Sequence, residues 1–330
     1  MNLAEIFDMN YMMKKFMEQN FRHFNSRSTL EAAKEYSLQI KNGNLMVLSM
    51  GGAMSTAEIG ISLSKMIRKN KIHAISCTGA NLEEDIFNLI GKGEYINILN
   101  SRNLPKISEE DWANNNINRV TDTGIPETVM IKVRSLIEKY WSEAEQNNLT
   151  FSPYEYIYRM IKSGDLKKFY TGCVHDSWVI AAAEKNIPIF TPGWEDSTLG
   201  NFMVAFYKNK KIKNFNVVKS GLQQMSELVD WYINVTKKRK VGFFQIGGGI
   251  SGDFAICAVP LIRQDICIDV PLWSYFCQIS DSTTSYGSYS GAIPSEKITW
   301  KKIGLSTPTF MIESDATIIA PLIFSYVLSD

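Results

Sequence analysis

The sequence predicts an α/β protein: a doubly wound, mainly parallel sheet of the Rossmann-like kind, preceded by an N-terminal helical extension. Three observations carry that expectation. Strand-like and helix-like stretches alternate along most of the 330 residues. Runs such as Leu45-Met46-Val47-Leu48 are apolar at successive positions, as strands covered on both faces are. These runs end in glycine-rich or polar residues, and open parallel sheets hold ligands at the carboxyl ends of their strands.

Taken in order, residues 5–24 have amphipathic helical spacing, and Ser28 with Glu31 reads as a capping box opening a second helix. Residues 1–43 are thus the extension, and 44–330 are one α/β domain. A strand over 44–50 closes on Gly51-Gly52 and leads to a helix over 55–69. Residues 71–77 give the next strand, followed by Thr78-Gly79-Ala80-Asn81 and a helix starting near Glu83. Residues 95–125 are polar, with Asn114, Asn115 and Asn116 in a row, and read as a long irregular surface excursion. Helical patterns occupy 126–147, 153–163 and 175–185. Strands are expected at 187–190, 241–246, 265–270 and 309–312, and a last helix at 316–328. No internal repeat or interdomain linker interrupts the rhythm.

Composition excludes several classes of function. Net charge is +1 and charged residues make up 21% of the chain, which argues against wholesale disorder and against the basic footprint that phosphate contacts need. The basic clusters at 208–213 and 237–240 read as solvated turns and helix ends. At 45%, hydrophobic residues suffice for a sizeable core. The five cysteines (Cys77, Cys173, Cys257, Cys267, Cys277) are odd in number and lack a Cys-x-x-Cys pair, which fits reduced thiols in a cytoplasmic protein. His23, His73 and His175 are scattered singly and no zinc spacing occurs, so no metal is expected. The N-terminus has no signal-peptide apolar region, and no uncharged apolar run reaches the roughly 18 residues of a membrane span.

Two kinds of segment carry chemistry. The first is Glu296-Lys297-Ile298-Thr299-Trp300-Lys301-Lys302-Ile303. If residues 299–303 are extended, side chains alternate, so Trp300 and Lys302 share a face and Lys301 points away. An aromatic wall beside an amine desolvates it, lowers its pKa from a reference of about 10.4 and lets it attack a carbonyl or imine. The bland alternative is a solvated strand end. The second kind is the set of polar strand ends at 49–56, 78–85, 191–198, 247–253 and 313–316. Glycines there admit a ligand to the backbone, helix N-termini offer N–H groups to a pyrophosphate, and carboxylates can hold ribose hydroxyls or cationic amines. Gly247, Gly249 and Gly252 satisfy G-x-G-x-x-G, with Asp269 downstream. A short glycine run meets that pattern easily, and such residues are also ordinary turn and cap residues.

Ser285-Tyr286-Gly287-Ser288-Tyr289-Ser290-Gly291-Ala292, with Glu296 and the Trp300-Lys301-Lys302 run, resembles the active-site segment of the deoxyhypusine synthase family. Thr78-Gly79-Ala80 with Glu83-Glu84-Asp85, Ile117-Asn118-Arg119, Pro192 with Asp196 and Gly200, Gly247-Gly248-Gly249 and Ser314-Asp315-Ala316 resemble further family motifs in the same order. The resemblance spans about residues 44–329. It implies NAD as cofactor, held by Gly52, Ala53, Met54, Ser55, Thr56, Thr78, Gly79, Ala80, Glu84, Asp196, Gly248, Asp281, Ser282, Asp315 and Ala316. It implies a polyamine contacted by Glu83, Glu84, Gly287, Ser288, Tyr289, Glu296, Trp300 and Asn201, with Lys302 as covalent nucleophile. In the family, spermidine is oxidised beside its secondary amine, its 4-aminobutyl group passes as an imine to the lysine, then to an acceptor amine, and is reduced there. A homotetramer with active sites across a dimer interface is also implied.

The sequence departs from the family in four places. Asp253-Phe254-Ala255 stands where the family has a histidine pair. Asn201 and Tyr289 replace aspartates, and Lys301 replaces a glycine. The chain therefore reads as a divergent paralogue, an aminoalkyl transferase whose acceptor is a protein lysine or, as in homospermidine synthases, a small diamine. A catalytically silent NAD-binding scaffold or sensor is the alternative.

Overall fold

The structure, a computed structural model, describes residues 8–98, 106–283 and 287–330. The apolar runs form β1 (Leu45–Met50), β2 (Ala74–Cys77), β6 (Ile189–Phe190), β7 (Val241–Ile246), β8 (Phe276–Ser280) and β9 (Thr309–Glu313). These make one sheet in the order β6-β2-β1-β7-β8-β9, and each neighbouring pair is parallel. All six carboxyl ends therefore lie along one edge. From β1 the chain winds outward to β2 and β6, and from β7 outward through β8 to β9. The winding direction reverses between β1 and β7, and a crevice opens at such a reversal.

Every residue of β1 and β7 is buried, because helices cover both faces of the sheet. On one face Tyr36, Leu63, Trp178 and Phe324 pack against Leu48, Phe244 and Ile279. They belong to helices Phe24–Lys41, Gly60–Arg68, Trp178–Lys185 and Ala316–Leu328. On the other face Leu228, Tyr232 and Ile256, from helices Gly221–Thr236 and Ile250–Ile256, pack against Val47, Phe243 and Phe276. The N-terminal helices join the first layer: Met17 is buried there, and Lys14 and Lys41 both pair with Asp330. No described helix is long and apolar enough to cross a membrane.

Four expectations need correction. The second helix starts at Phe24, behind an extended His23, so Ser28 lies inside it. The hydroxyls of Ser26 and Thr29 bond back to carbonyls of His23 and Asn25, which lets such residues sit within a helix without capping it. Residues 265–270 form no strand; their alternating Ile266, Ile268 and Val270 follow a π-helical turn, Leu261–Asp265. The true strand is β8, whose buried Gln278 and Ser280 interrupt the apolar signal. The segment 95–125 is no irregular loop. β3 (Ile96–Asn97), β4 (Ile117–Val120) and β5 (Thr123–Pro126) form an antiparallel sheet in the order β3-β5-β4, beside helix Lys106–Asn114. Finally, residues 299–303 are not extended. Glu296–Thr299 is one helical turn, and Lys301 takes a left-handed φ of 55°.

Candidate active site

The carboxyl ends of β1, β7, β8 and β9 enclose an open cleft of about 880 Å³. Its walls hold nine of the fifteen residues expected to touch the cofactor: Gly52, Ala53, Met54, Thr56, Gly248, Asp281, Ser282, Asp315 and Ala316. The sequence did not reveal the opposite wall, where Asn97, Val120, Thr121, Asp122 and Thr123 bring the small antiparallel sheet over the cleft. Backbone builds the floor. A Cβ on Gly51 would stand 2.8 Å from the Gly248 carbonyl oxygen, so the β1 and β7 loops pass each other at a spacing that only glycine permits. Asp315 caps the last helix, accepting from the Thr317 amide and hydroxyl, each at 2.7 Å.

Other expected contacts stand behind this wall. Ser55 is buried; its hydroxyl donates to the Asn81 carbonyl at 2.6 Å and accepts from the Trp178 indole N–H at 2.9 Å. Thr78 caps the helix Gly79–Gly91 and donates to the Gly52 carbonyl at 3.0 Å. Gly79 packs against Ser197 and the Trp194 carbonyl, and Ala80 follows it in the first helical turn. Glu84 receives the Thr56 hydroxyl, and burial raises its pKa. Asn81 escaped the sequence reading. Buried, it donates to the Gly52 carbonyl at 2.8 Å and accepts from the Ser55 amide at 3.0 Å, pinning the loop that forms the wall. Three expected residues face elsewhere. Glu83 is buried and both its oxygens accept amides of Thr198 and Leu199 at 2.8 Å, so it holds the N-terminus of helix Thr198–Lys208. Burial pushes its carboxyl up to about 7, against those hydrogen bonds. Asp196 and Asn201 are exposed, beyond the end of β6.

Lys302 sits in a separate corner. It is 6% exposed, and its Nζ lies 3.0 Å from Asp253 Oδ1. The ring of Tyr289 is 5.5 Å from that nitrogen and the ring of Trp300 is 5.8 Å away. The tight turn thus puts Trp300 and Lys302 on one side by a route other than strand alternation. Trp300 is 66% exposed, so the desolvating wall is mainly Tyr289. Lys301 is exposed. Gly287 and Glu296 are exposed and Ser288 is half-buried beside this corner; Tyr286 lies outside the described residues. Asp253 carried two signals, its place in the glycine-rich turn and its position where the resembling family has a histidine pair, but neither identified it as the partner of Lys302. Its Oδ1 also accepts from the Cys257 thiol at 3.3 Å.

The cleft and the corner are joined through adjacent residues. Ser290 accepts the Gly249 amide at 3.1 Å, while its carbonyl accepts the Gln278 amide side chain at 2.8 Å. Its neighbour Tyr289 donates to Gln245 Oε1 at 2.8 Å. Gln245 and Gln278 are cross-strand partners in β7 and β8, and both side chains also donate to the Gly247 carbonyl. A Cβ on Gly252 would meet both Gln245 Oε1, at 2.7 Å, and the Tyr289 ring, at 2.9 Å. Two buried amides therefore fix the glycine loop and the ring over Lys302 as one unit.

The chain and its fold are similar to known proteins. The family model for deoxyhypusine synthase matches residues 12–327. A protein named probable deoxyhypusine synthase 1, from Archaeoglobus fulgidus, is 26% identical over 305 residues, covering 92% of this chain and 90% of that one. A deoxyhypusine synthase-like protein from Thermosynechococcus vestitus is 24% identical over 341 residues, covering 97% of this chain and 79% of the relative. The fold resembles that of a protein assigned as a deoxyhypusine synthase from Entamoeba histolytica, with a TM-score of 0.57 at 13% identity, over 99% of this chain and 95% of the other.

Proposed function

The chain belongs to the deoxyhypusine synthase family, and from that premise we propose that it is an NAD-dependent aminoalkyl transferase. It takes a 4-aminobutyl group from spermidine or a related polyamine, carries it as an imine on Lys302, and delivers it to an acceptor amine. One observation carries this reading: a buried lysine amine, held by a carboxylate and covered by an aromatic ring, is fixed to the glycine loop of a nucleotide-sized cleft.

The cleft fits NAD by the chemistry of its donors. Glycine backbones at Gly51, Gly52, Gly247 and Gly248 suit a pyrophosphate, and the carboxylates of Asp281 and Asp315 suit ribose hydroxyls. When bound, NAD accepts a hydride from the amine donor and later returns it. The remaining chemistry belongs to the protein. Lys302 attacks the oxidised, imine form of the donor only after losing a proton, and Asp253 Oδ1 is the oxygen placed to take it. A bond then forms between Nζ and the imine carbon, the bond from that carbon to the old nitrogen breaks, and the departing diamine takes up the proton. Asp253 thus fills the proton-transfer role that the absent histidines left open. Tyr289 excludes water from the new imine.

A homotetramer in the cytoplasm accords with this reading. Ile250, Ile293, Trp300 and Leu305 expose large apolar surfaces on the segments that carry the lysine corner, as subunit contacts would require. All five cysteines are free, as in a reducing compartment. Incubation with NAD and a panel of polyamines tests the function. Release of 1,3-diaminopropane from spermidine is expected, with a gain of protein mass or a free polyamine product identifying the acceptor. NAD binding without release of any diamine would assign the chain to the silent binders.

A further inference from the structure

A row of buried polar side chains crosses the main sheet. Ser76, Ser49, Gln245 and Gln278 are successive cross-strand partners in β2, β1, β7 and β8, and none of them is exposed. Polar groups in a sheet core are costly unless they are hydrogen-bonded, so the partners of such a row show what it supports. Here the partners lie in the loops above the sheet. Ser76 donates to the Ser251 carbonyl at 2.7 Å, and Gln278 donates to the carbonyls of Ser290 and Gly247 at 2.8 and 3.3 Å.

Gln245 joins two segments, because both ends of its amide are used. Its Nε2 donates to the Gly247 carbonyl at 2.9 Å, and its Oε1 accepts from the Tyr289 hydroxyl at 2.8 Å. The partners fix the orientation of that amide. A carbonyl only accepts, so the nitrogen faces Gly247, the oxygen faces Tyr289, and the tyrosine hydroxyl must donate. Gln278 uses its nitrogen alone, and its Oε1 has no hydrogen-bond partner among the described residues. The Tyr289 ring lies 5.5 Å from Lys302 Nζ and 5.1 Å from the Nζ of Lys297, which is buried on the helical turn before Trp300. Gly252 makes room for the contact: a Cβ there would stand 2.7 Å from Gln245 Oε1 and 2.9 Å from the ring.

We propose that Gln245 is a positioning residue for the transfer: it holds the Tyr289 ring over Lys302, so that the imine passes to an acceptor amine before water reaches it. The inference rests on Lys302 being the residue that forms the imine. Trp300, the other ring near Lys302, is 66% exposed and gives little cover. Hydrolysis is the competing reaction. Water adds to the imine carbon, the bond from that carbon to Nζ breaks, and the chain leaves as an aldehyde while Lys302 recovers its amine. The hydride taken from the donor is then never returned to it. A ring fixed at its hydroxyl end slows that loss by keeping water out. The device is a hydrogen bond between neutral groups and involves no change of charge at Lys302.

The test needs neither NAD nor polyamine. The intact protein is incubated with butanal and then diluted, and borohydride added at intervals fixes whatever imine remains. Peptide masses report it separately at Lys302 and at the exposed Lys301. In Gln245→Met and in Tyr289→Phe the Lys302 imine is expected to decay about five to ten times faster than in wild type, the worth of one buried hydrogen bond between neutral groups. Decay at Lys301 should not change, so the ratio of the two lysines separates a local effect from a general loosening. The double variant should decay no faster than either single one, because both changes break the same bond. Unchanged decay at Lys302 in Gln245→Met, or rates that multiply in the double variant, would overturn the proposal. Where Gln245→Met does not fold, Tyr289→Phe, which removes only the hydroxyl, carries the comparison. Faster decay in these variants of a protein that releases no diamine from spermidine would remove the transferase reading and leave the positioning role standing. A wild-type imine at Lys301 but none at Lys302 would remove both.

Discussion

The cleft and the lysine corner are built in opposite ways. The cleft is made largely of backbone: glycine loops approach each other closely, the side chains that line it are small, apolar or acidic with one asparagine, and none of the described lining residues is Lys, Arg or His. The corner is made of side chains: Lys302, Asp253, Lys297 and Tyr289 meet on three different segments, two of them buried lysines. A backbone site is specified by the absence of side chains, so it survives much sequence change as long as its glycines stay. A side-chain site can exchange one partner for another, as we propose for Asp253, which pairs with Lys302. The difference teaches that cofactor and reaction chemistry can diverge at different rates within one sheet edge.

Asp253→Asn should separate the two regions most strongly. It preserves shape while removing the charge beside Lys302, and proton transfer by a placed group is worth about a hundredfold or more. Adduct formation should fall by about that factor, with NAD affinity by calorimetry unchanged. Equal loss of both would mean that the corner and the cleft are not separable.

Gly248→Ala should act on the other region. A Cβ there collides with Ser290, and overpacking of this kind costs about 1–3 kcal/mol, which is roughly a tenfold to hundredfold loss of affinity. NAD binding should weaken accordingly. Unchanged binding would show that the cleft lies elsewhere.

The same contrast explains what the sequence made legible. β1 and β7 are read directly from six-residue runs that open on an apolar residue and stay mainly apolar, and the parallel order then places Gly51, Thr78, Asp196, Gly248, Ser282 and Asp315 along one edge. β8 was hidden because Gln278 and Ser280 are buried polar residues serving the loops, and a functional demand of that kind overrides the apolar pattern. The small sheet over 96–126 was hidden for another reason. Its strands are short and half-exposed, so no periodicity accumulates. In the corner, Lys302 was identified from the motif and Trp300 on its side from an alternation the turn does not have. Lys297 and Asn81 carry no local pattern, and only the fold brings them and Asp253 to their partners.

Lys301→Gly should produce the smallest effect. Lys301 is exposed with φ at 55°, a backbone that glycine adopts freely, while glycine also gains freedom in the unfolded chain. These effects oppose each other, so thermal unfolding should give a stability within about 1 kcal/mol of wild type. Transfer should be retained. A severe loss of activity would implicate Lys301 in the chemistry.

The most direct test of the account is borohydride trapping of the protein incubated with NAD and spermidine, followed by mapping of the added mass. A 4-aminobutyl adduct on Lys302, absent in Lys302→Ala although NAD still binds, is the predicted result. An adduct on Lys297 or Lys301, or full transfer by Lys302→Ala, would contradict it.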